Sequence, residues 1–496
     1  MNEKNNSGLV IFLLLLFVGV LVFFRGLDIK YYADDLQIVY RFPGEKVFYY
    51  LSNVPADGFY RPIQLLLVTV SQTLFGYNTV LIHLIQLLTH IIFCWIIYLF
   101  MTESGLSRIK SVIASLFMLL SPTNAFAILN NDTFSQITGA MFGFLSLVFL
   151  FRCFNSKKEE NEKFLYLNPN FLISIFCFGI SLFSKESSLS FLLIFFAAIA
   201  LYDFQPGDLK KNIRKLIVYL SPYVIMLLIY LSARYFAGGR QPASGKDEAY
   251  AFIFGKNIIS NYALSVISSI MPFPNEVMFE WIKKNDYLSL LAPGIIIIIF
   301  TAVVIYGLIK SGKKKLILSM IIFFFLSLIP MIFLIHIREL HSYNSAAYVS
   351  VLVGIGAGTV IEQTGKNGRW KKVFVISFMA FVFITEIVSI ESRISKMKSN
   401  GEKAWILIDQ IIPYTKYVPE NGKLILLNPV NDQIEYSVLV MNDFNVLFTG
   451  LQIINELSGR TDFQPLIVNS SEINNYTADK NNLILTIESN QVKKFE

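Results

Sequence analysis

The sequence predicts a polytopic α-helical membrane protein with about eleven transmembrane helices and a small C-terminal extracytoplasmic α/β domain. Three observations carry that expectation. Of the 496 residues, 54% are hydrophobic and only 16% charged, and the mean hydropathy is +0.55, which excludes an ordinary soluble enzyme. Apolar runs recur between residues 8 and 391, most of them near the roughly 20 residues a helix needs to cross the hydrocarbon. Beyond about residue 391 the composition changes, and 423–427 and 483–487 read as buried strands with helix-like stretches between them.

Lys4 precedes the first apolar run, 8–24, which ends in Phe23-Phe24-Arg25 without a small-residue cleavage pattern. It therefore reads as a retained helix with a cytoplasmic N-terminus. Residues 25–60 form a polar and aromatic external loop that contains Tyr31-Tyr32-Ala33-Asp34-Asp35 and leads into Tyr60-Arg61-Pro62. Pro62 suits the first position of a helix over 62–75, where no N–H is needed. The polar Gln64, Ser71, Gln72 and Thr73 place that helix on the membrane surface or along a cavity.

Further spans are expected at about 79–100, 110–129, 133–152, 170–184, 187–203, 216–236, 288–309, 316–335, 343–361 and 372–391. Alternate connectors then hold the basic clusters, among them Arg108 with Lys110, Lys210 with Lys211 and Arg214, and Lys313 to Lys315. Cytoplasmic loops carry such an excess of Lys and Arg, so the net charge of +7 reports topology and not a nucleic-acid surface. The odd count of spans puts the C-terminal region outside, with the Asp pair. The chain thus divides into a membrane domain, 1–391, with its external loop at 25–60, and an extracytoplasmic domain, 392–496. The long connector 237–287 is also external, and its apolar stretch 258–270 reads as surface helix. The three cysteines show no CxxC spacing, so neither a disulfide framework nor a thiolate zinc site is indicated.

Acidic residues are scarce in so apolar a chain, and a pair of them beside a membrane is costly. A carboxylate in a partly desolvated pocket can take a proton from an attacking hydroxyl, which is the functional reading of Asp34 or Asp35. The alternative is that the pair caps a helix starting near Leu36. His83, Gln86 and His90 fall on one helix face; interhelical hydrogen bonding competes there with a zinc site, for which the spacing is poor. Ser184-Lys185-Glu186 joins two apolar runs almost without a loop. Lys185 is either a solvated hairpin tip or a cation aimed at a phosphate, and Arg338, with Glu339 and His341, poses the same choice. Arg61 is a third external cation.

These residues carry a resemblance. An Asp pair shortly after the first span is similar to the first external loop of the GT-C glycosyltransferases, polytopic enzymes that use polyprenyl-phosphate sugars. Phe59-Tyr60-Arg61-Pro62, Leu74-Phe75-Gly76-Tyr77-Asn78 and the stretch from His83 to His90 resemble motifs of the bacterial protein-mannosyltransferase-like branch. Leu182-Phe183-Ser184-Lys185-Glu186-Ser187 resembles its serine-lysine-glutamate motif. The ordered set covers about the first 200 residues. This chain departs from the pattern in having Gln86 where asparagine is common, Ser121 for a histidine, and Asn131-Asp132 for a glycine-arginine pair.

The resemblance implies an integral-membrane glycosyltransferase of the bacterial cytoplasmic membrane that moves a hexose from a polyprenyl phosphate to an acceptor hydroxyl on the extracytoplasmic side, with inversion. Asp34 or Asp35 would be the base, the first acid being favoured. Lys185, Arg338 and Arg61 would hold the donor phosphate; Glu186, Tyr60, His83, His90, Asp132 and His341 would line the cavity. No metal or other cofactor is expected, because the leaving group is a monophosphate. The expected partners are the lipid-linked sugar, an acceptor protein, glycolipid or cell-wall polymer, and membrane lipid; nucleic acid is not among them. The rival reading is a lipid or polysaccharide transporter or flippase without transferase activity. Such a protein should carry inverted repeats or matching interrupted helices, and no convincing pair is present.

Overall fold

The computed structural model describes residues 2–41, 52–54, 59–156, 166–205, 207–239, 252–270, 281, 284–329, 331–335, 337, 339–428, 441, 443–488 and 491–495. Among these the helices are α1 (Asn2–Phe23), α2 (Asp34–Arg41), α3 (Pro62–Phe75), α4 (Thr79–Glu103), α5 (Arg108–Leu120), α6 (Ala125–Leu129), α7 (Phe134–Ser156), α8 (Pro169–Ser184) and α9 (Ser190–Tyr202). They continue with α10 (Leu209–Phe236), α11 (Lys256–Ile270), α12 (Tyr287–Lys310), α13 (Lys314–Ser327), α14 (Tyr343–Asn367), α15 (Arg369–Ile411), α16 (Gln452–Ser458) and α17 (Asn474–Thr477). Local chemistry sets many boundaries. The side chains of Asn78, Asn168, Asp208 and Asp286 accept the first free N–H groups of α4, α8, α10 and α12.

Among the described residues, seven helices are long and apolar enough to cross a membrane, or eight if one bent pair is a single span. About eleven were expected, and the difference has local causes. The expected span 110–129 is broken: α5 and the segment Pro122–Leu129 meet at 47°. Ser121 precedes a proline and adopts ψ 118, outside the helical region that such a residue avoids. The helices Pro62–Phe75, Pro169–Ser184 and Glu186–Tyr202 are apolar but shorter than a span. The expected span 316–335 ends as helix at Ser327, and a 3-10 turn follows at Met331–Phe333.

The bundle is organised around α14, almost wholly buried against α5, α12 and α13. Small residues permit its contacts. A Cβ on Gly354 would stand 2.5 Å from the Lys110 carbonyl, and one on Gly356 2.5 Å from the Val304 carbonyl. Close backbone approach through glycine is how helices associate where lipid removes the hydrophobic driving force. Exposed Leu13, Phe17, Leu21, Ile225 and Ile298 form the lipid-facing exterior.

The 43 residues of α15 would run about 64 Å at 1.5 Å per residue, twice a hydrocarbon core of about 30 Å. The second half therefore leaves the bilayer, crosses position 391 without a break, and enters the C-terminal unit. That unit is a four-stranded sheet of β1 (Lys423–Asn428), β2 (Gln464–Asn469), β3 (Asn482–Glu488) and β4 (Gln491–Lys494), in the order β2-β1-β3-β4. β1 is parallel to both neighbours and β4 antiparallel to β3. The apolar runs at 423–427 and 483–487 are thus the two central strands.

Candidate functional site

Four chain segments meet at one end of the bundle: the start of α2, the turn before α7, the α8–α9 junction and the residues leading into α3. Asp34 and Asp35 open α2, where carboxylates face unpaired backbone N–H groups. Their surroundings differ. Asp35 is buried, and its carboxylate accepts the backbone N–H of Asp132 at 2.7 Å and a second backbone bond from Asn131. Burial still holds its carboxyl well above the usual carboxylate range, and the Asp132 charge adds to that. Asp34 is half-buried, and its charge acts on both Lys185 and Tyr32.

The turn ahead of the acids is strained and held. Ala33 has φ 51, a left-handed conformation that costs a non-glycine residue about 1–2 kcal/mol. Its N–H donates to the Val446 carbonyl at 2.7 Å. The opposing turn before α7 is equally fixed. The Gln64 amide donates to the Asp132 carbonyl at 2.5 Å, the Gln86 amide to Asn131 Oδ1 at 3.1 Å, and the Asp132 N–H to Asn130 Oδ1 at 3.2 Å.

Lys185 follows the last residue of α8 and is immediately succeeded by a 3-10 turn at Glu186–Leu189. Gly139 of α7 makes room for it: a Cβ there would lie 3.1 Å from Lys185 Cβ. Lys185 is 7% exposed, with no carboxylate within 4.0 Å among the described residues. Burial pushes its ammonium down to about 8, the Arg61 charge adds to the fall, and Asp132, Glu186 and Asp34 oppose it. Arg61 Nε donates to both oxygens of Glu186, at 2.9 and 3.1 Å, and its guanidinium lies 4.4 Å from the centre of the Phe59 ring. Burial raises the Glu186 carboxyl, but Arg61, Lys185 and Arg234 together outweigh it and hold it below its ordinary value.

Of the residues nominated from sequence, Asp34, Asp35, Arg61, Asp132, Lys185 and Glu186 thus come together. Tyr60 is buried beside them, its ring against Phe183 and Tyr230. His83 and His90 instead lie inside the bundle at separate points. His83 Nδ1 is 3.0 Å from the Leu27 carbonyl, and His90 Nδ1 is 2.6 Å from the Tyr343 hydroxyl. Each ties α4 to another element, and they do not converge on one ion. His341 is in the half-buried turn Glu339–Ser342, which Arg393 of α15 anchors through Glu339 at 3.0 Å. Arg338 lies outside the described residues. Among the described residues no group of three His, Cys, Asp or Glu side chains is arranged to hold a metal ion.

Two residues at or near the site, Arg234 and Gln136, escaped the sequence reading. Arg234, buried in the last turn of α10, acts electrostatically on Glu186 and hydrogen-bonds Tyr230. Gln136 and Asn344 join α7 to α14 at 3.2 Å, and the Asn344 amide lies 3.5 Å from Ser187 Oγ. A cation at the end of an apolar helix looks like an interfacial anchor, and only the packing of α10 separates Arg234 from that class.

No family model matches the sequence, and no curated protein matches it. Solved structures do match in fold. ArnT from Cupriavidus metallidurans bound to undecaprenyl phosphate superposes with a TM-score of 0.54 at 12% identity, covering 96% of this chain and 92% of that one. The oligosaccharyltransferase of Archaeoglobus fulgidus, tethered to an acceptor peptide, gives 0.53 at 12% identity over 95% of this chain and 64% of that one. Archaeal AglB from the same organism, in complex with an inhibitory peptide and a dolichol-phosphate, gives 0.51 at 12% identity, over 86% and 63%. The chain thus spans somewhat less than two thirds of the length of these archaeal proteins. At such identity the likeness speaks to architecture, and on it this chain is a multi-pass membrane protein with the fold of the GT-C glycosyltransferases.

Proposed function

We propose that the chain transfers a hexose from a polyprenyl-phosphate donor to an acceptor hydroxyl on the extracytoplasmic face of a bacterial cytoplasmic membrane, with its N-terminus in the cytoplasm. The observation that carries this reading is the juxtaposition of a half-buried carboxylate, Asp34, with a buried ammonium, Lys185, that has no carboxylate within 4.0 Å among the described residues, at one end of a GT-C fold. ArnT, which shares the fold, was captured with undecaprenyl phosphate.

The donor phosphate sits against Lys185, with Arg61 and Arg234 behind it. The acceptor oxygen attacks the anomeric carbon as its proton passes to Asp34. The bond from that carbon to the phosphate oxygen breaks on the opposite face, the sugar inverts, and polyprenyl phosphate leaves with the bonding electrons. Cations at the leaving oxygen stabilise the charge that grows there, usually a large part of the catalysis. Asp34 is assigned as base because Asp35 is buried and commits its carboxylate to the backbone of residues 131 and 132. Nothing in these steps needs a metal to bridge a diphosphate, and none is proposed. The acceptor is a protein, a glycolipid or a cell-wall polymer.

The test is transfer of label from a panel of radiolabelled polyprenyl-phosphate sugars by membranes carrying the wild type, Asp34→Asn or Asp35→Asn. Transfer by the wild type that Asp34→Asn abolishes is the expected result. Full activity in Asp34→Asn would refute the base assignment, and a wild type that moves labelled lipid across vesicles without transferring sugar would favour a flippase.

A further inference from the structure

The C-terminal unit reaches directly into the turn that carries the acids. The Trp405 indole N–H of α15 donates to the Tyr31 carbonyl at 3.2 Å. Gly401 packs so closely that a Cβ on it would stand 2.5 Å from the Lys30 carbonyl, and one on Gly450 would stand 2.3 Å from Leu36 Cβ. The Ala33 N–H bond to Val446 belongs to the same contact. Membrane domain and C-terminal unit share one packed surface here, and the first loop is its middle layer.

Tyr32 lies at the centre of that layer. Its side chain is fully buried, and its hydroxyl is hydrogen-bonded to two side-chain amides, Asn400 of α15 and Asn130 of the turn before α7. Each amide is itself fixed. Asn400 Oδ1 accepts the Met441 N–H at 3.3 Å, and Asn130 Oδ1 accepts the Asp132 N–H, the same group that donates to Asp35 at 2.7 Å. A continuous line of hydrogen bonds therefore runs from the C-terminal unit through Asn400, Tyr32, Asn130 and Asp132 to the carboxylate beside the proposed base. Buried networks of this kind specify one geometry when every member is satisfied.

We infer that Tyr32 and Asn400 are positioning residues through which the C-terminal unit sets the orientation of the Asp34-Asp35 turn for catalysis. The inference rests on the proposed transferase reading. Neither residue touches the reacting atoms; both act by holding the strained turn at Ala33 in register with the turn at 130–132. Misplacing a catalytic group by about 1 Å can cost on the order of 100-fold in rate without weakening substrate binding.

Tyr32→Phe removes one hydroxyl and keeps the ring; Asn400→Ala removes the partner amide. Purified full-length variants are compared in kcat, using whichever labelled polyprenyl-phosphate sugar the wild type turns over fastest, and in Kd for undecaprenyl phosphate. The expected result for Tyr32→Phe is a kcat about 10- to 100-fold lower with the Kd within about twofold of wild type. The double variant should be no slower than the slower single, because both substitutions cut the same line. Wild-type kcat in Tyr32→Phe, multiplicative losses in the double variant, or a Kd that weakens in step with kcat would each overturn the inference. If Asn400→Ala does not fold, Tyr32→Phe decides alone. A wild type that transfers no sugar from any donor overturns the transferase reading and this inference with it, whereas an active wild type with an unimpaired Tyr32→Phe overturns the inference only.

Discussion

Lys185 offers the sharpest test of the phosphate assignment, because its burial makes its charge depend on pH in an accessible range. The fall of its ammonium from 10.5 to about 8 amounts to about 3 kcal/mol against the charged form. Undecaprenyl phosphate, a dianion at pH 7.5 and above, should bind the protonated site. The protonated fraction falls from about three quarters at pH 7.5 to about 3% at pH 9.5, so the Kd should weaken about 25-fold across that interval. Bound phosphate pulls the ammonium back towards its ordinary value, so binding near pH 9 should take up a proton, measurable as a buffer-dependent heat in titration calorimetry. Lys185→Arg keeps its charge throughout and should lose the pH dependence. Lys185→Gln should weaken binding at pH 7.5 by about 10- to 100-fold, the loss of one charge-assisted hydrogen bond. A wild-type Kd that stays flat from pH 7.5 to 9.5, or the same slope in Lys185→Arg, would refute the assignment. Stability moves the other way: the unfolded chain holds the Lys185 proton more tightly between pH 8 and 10.5, so this residue's cost to the folded state fades as pH rises through that window.

Three further outcomes follow from the same geometry. Asp34→Asn should lower kcat by about 100- to 10,000-fold, whereas Asp35→Asn, which keeps an acceptor for the Asp132 N–H, should cost no more than about tenfold; steady-state transfer rates compare the two. Glu186→Ala removes the carboxylate opposite the largely buried Arg61 and should destabilise the chain by about 3–5 kcal/mol. Undecaprenyl phosphate, which supplies the missing negative charge, should then raise the apparent Tm of this variant more than that of wild type. Gly356→Val drives a side chain into the Val304 carbonyl where α12 and α14 cross and should cost about 1–3 kcal/mol. Gly294→Val, with no atom within 4 Å of the added Cβ, is its control in a thermal melt.

What was legible in the sequence followed from period and length. Apolar runs announced the membrane helices, and 423–427 and 483–487 announced the two central strands, because buried parallel strands read as unbroken hydrophobic stretches. The count of about eleven spans is matched only to seven or eight among the described residues: the run around Pro122 bends by 47°, and three apolar helices are of 10–17 residues. The site was half legible. Asp34, Lys185, Arg61 and Glu186 stood out as charges beside apolar runs. Their pairing, Arg61 with Glu186 over 125 positions of sequence, was not written in any local pattern. Nor was the different fate of two adjacent acids. Asp34 and Asp35 are chemically identical, and only the turn at 130–132, brought against α2 by the packing of α7, buries one and leaves the other half open.

The electrostatics of the cluster bear on where its binding energy acts. A polyprenyl-phosphate sugar is a monoanionic diester, and the departing polyprenyl phosphate acquires a second charge. A site with three free cations would grip donor and product alike, and binding that is equal in both states does not speed the chemical step. Here Arg61 is already matched by Glu186 at 2.9 Å, whereas Lys185, poised near 8, is a buried cation with no carboxylate within 4.0 Å among the described residues. On the proposed transferase reading its protonation is favoured most when the leaving oxygen carries most charge, so its contribution grows along the reaction coordinate instead of being spent on the ground state. On this account Glu186→Gln, which removes the charge opposite Arg61 while keeping the shape of the site, should tighten undecaprenyl phosphate binding and lower kcat together. Equal tightening of donor binding and kcat left unchanged would show that the Arg61–Glu186 pair supports the fold and takes no part in this discrimination.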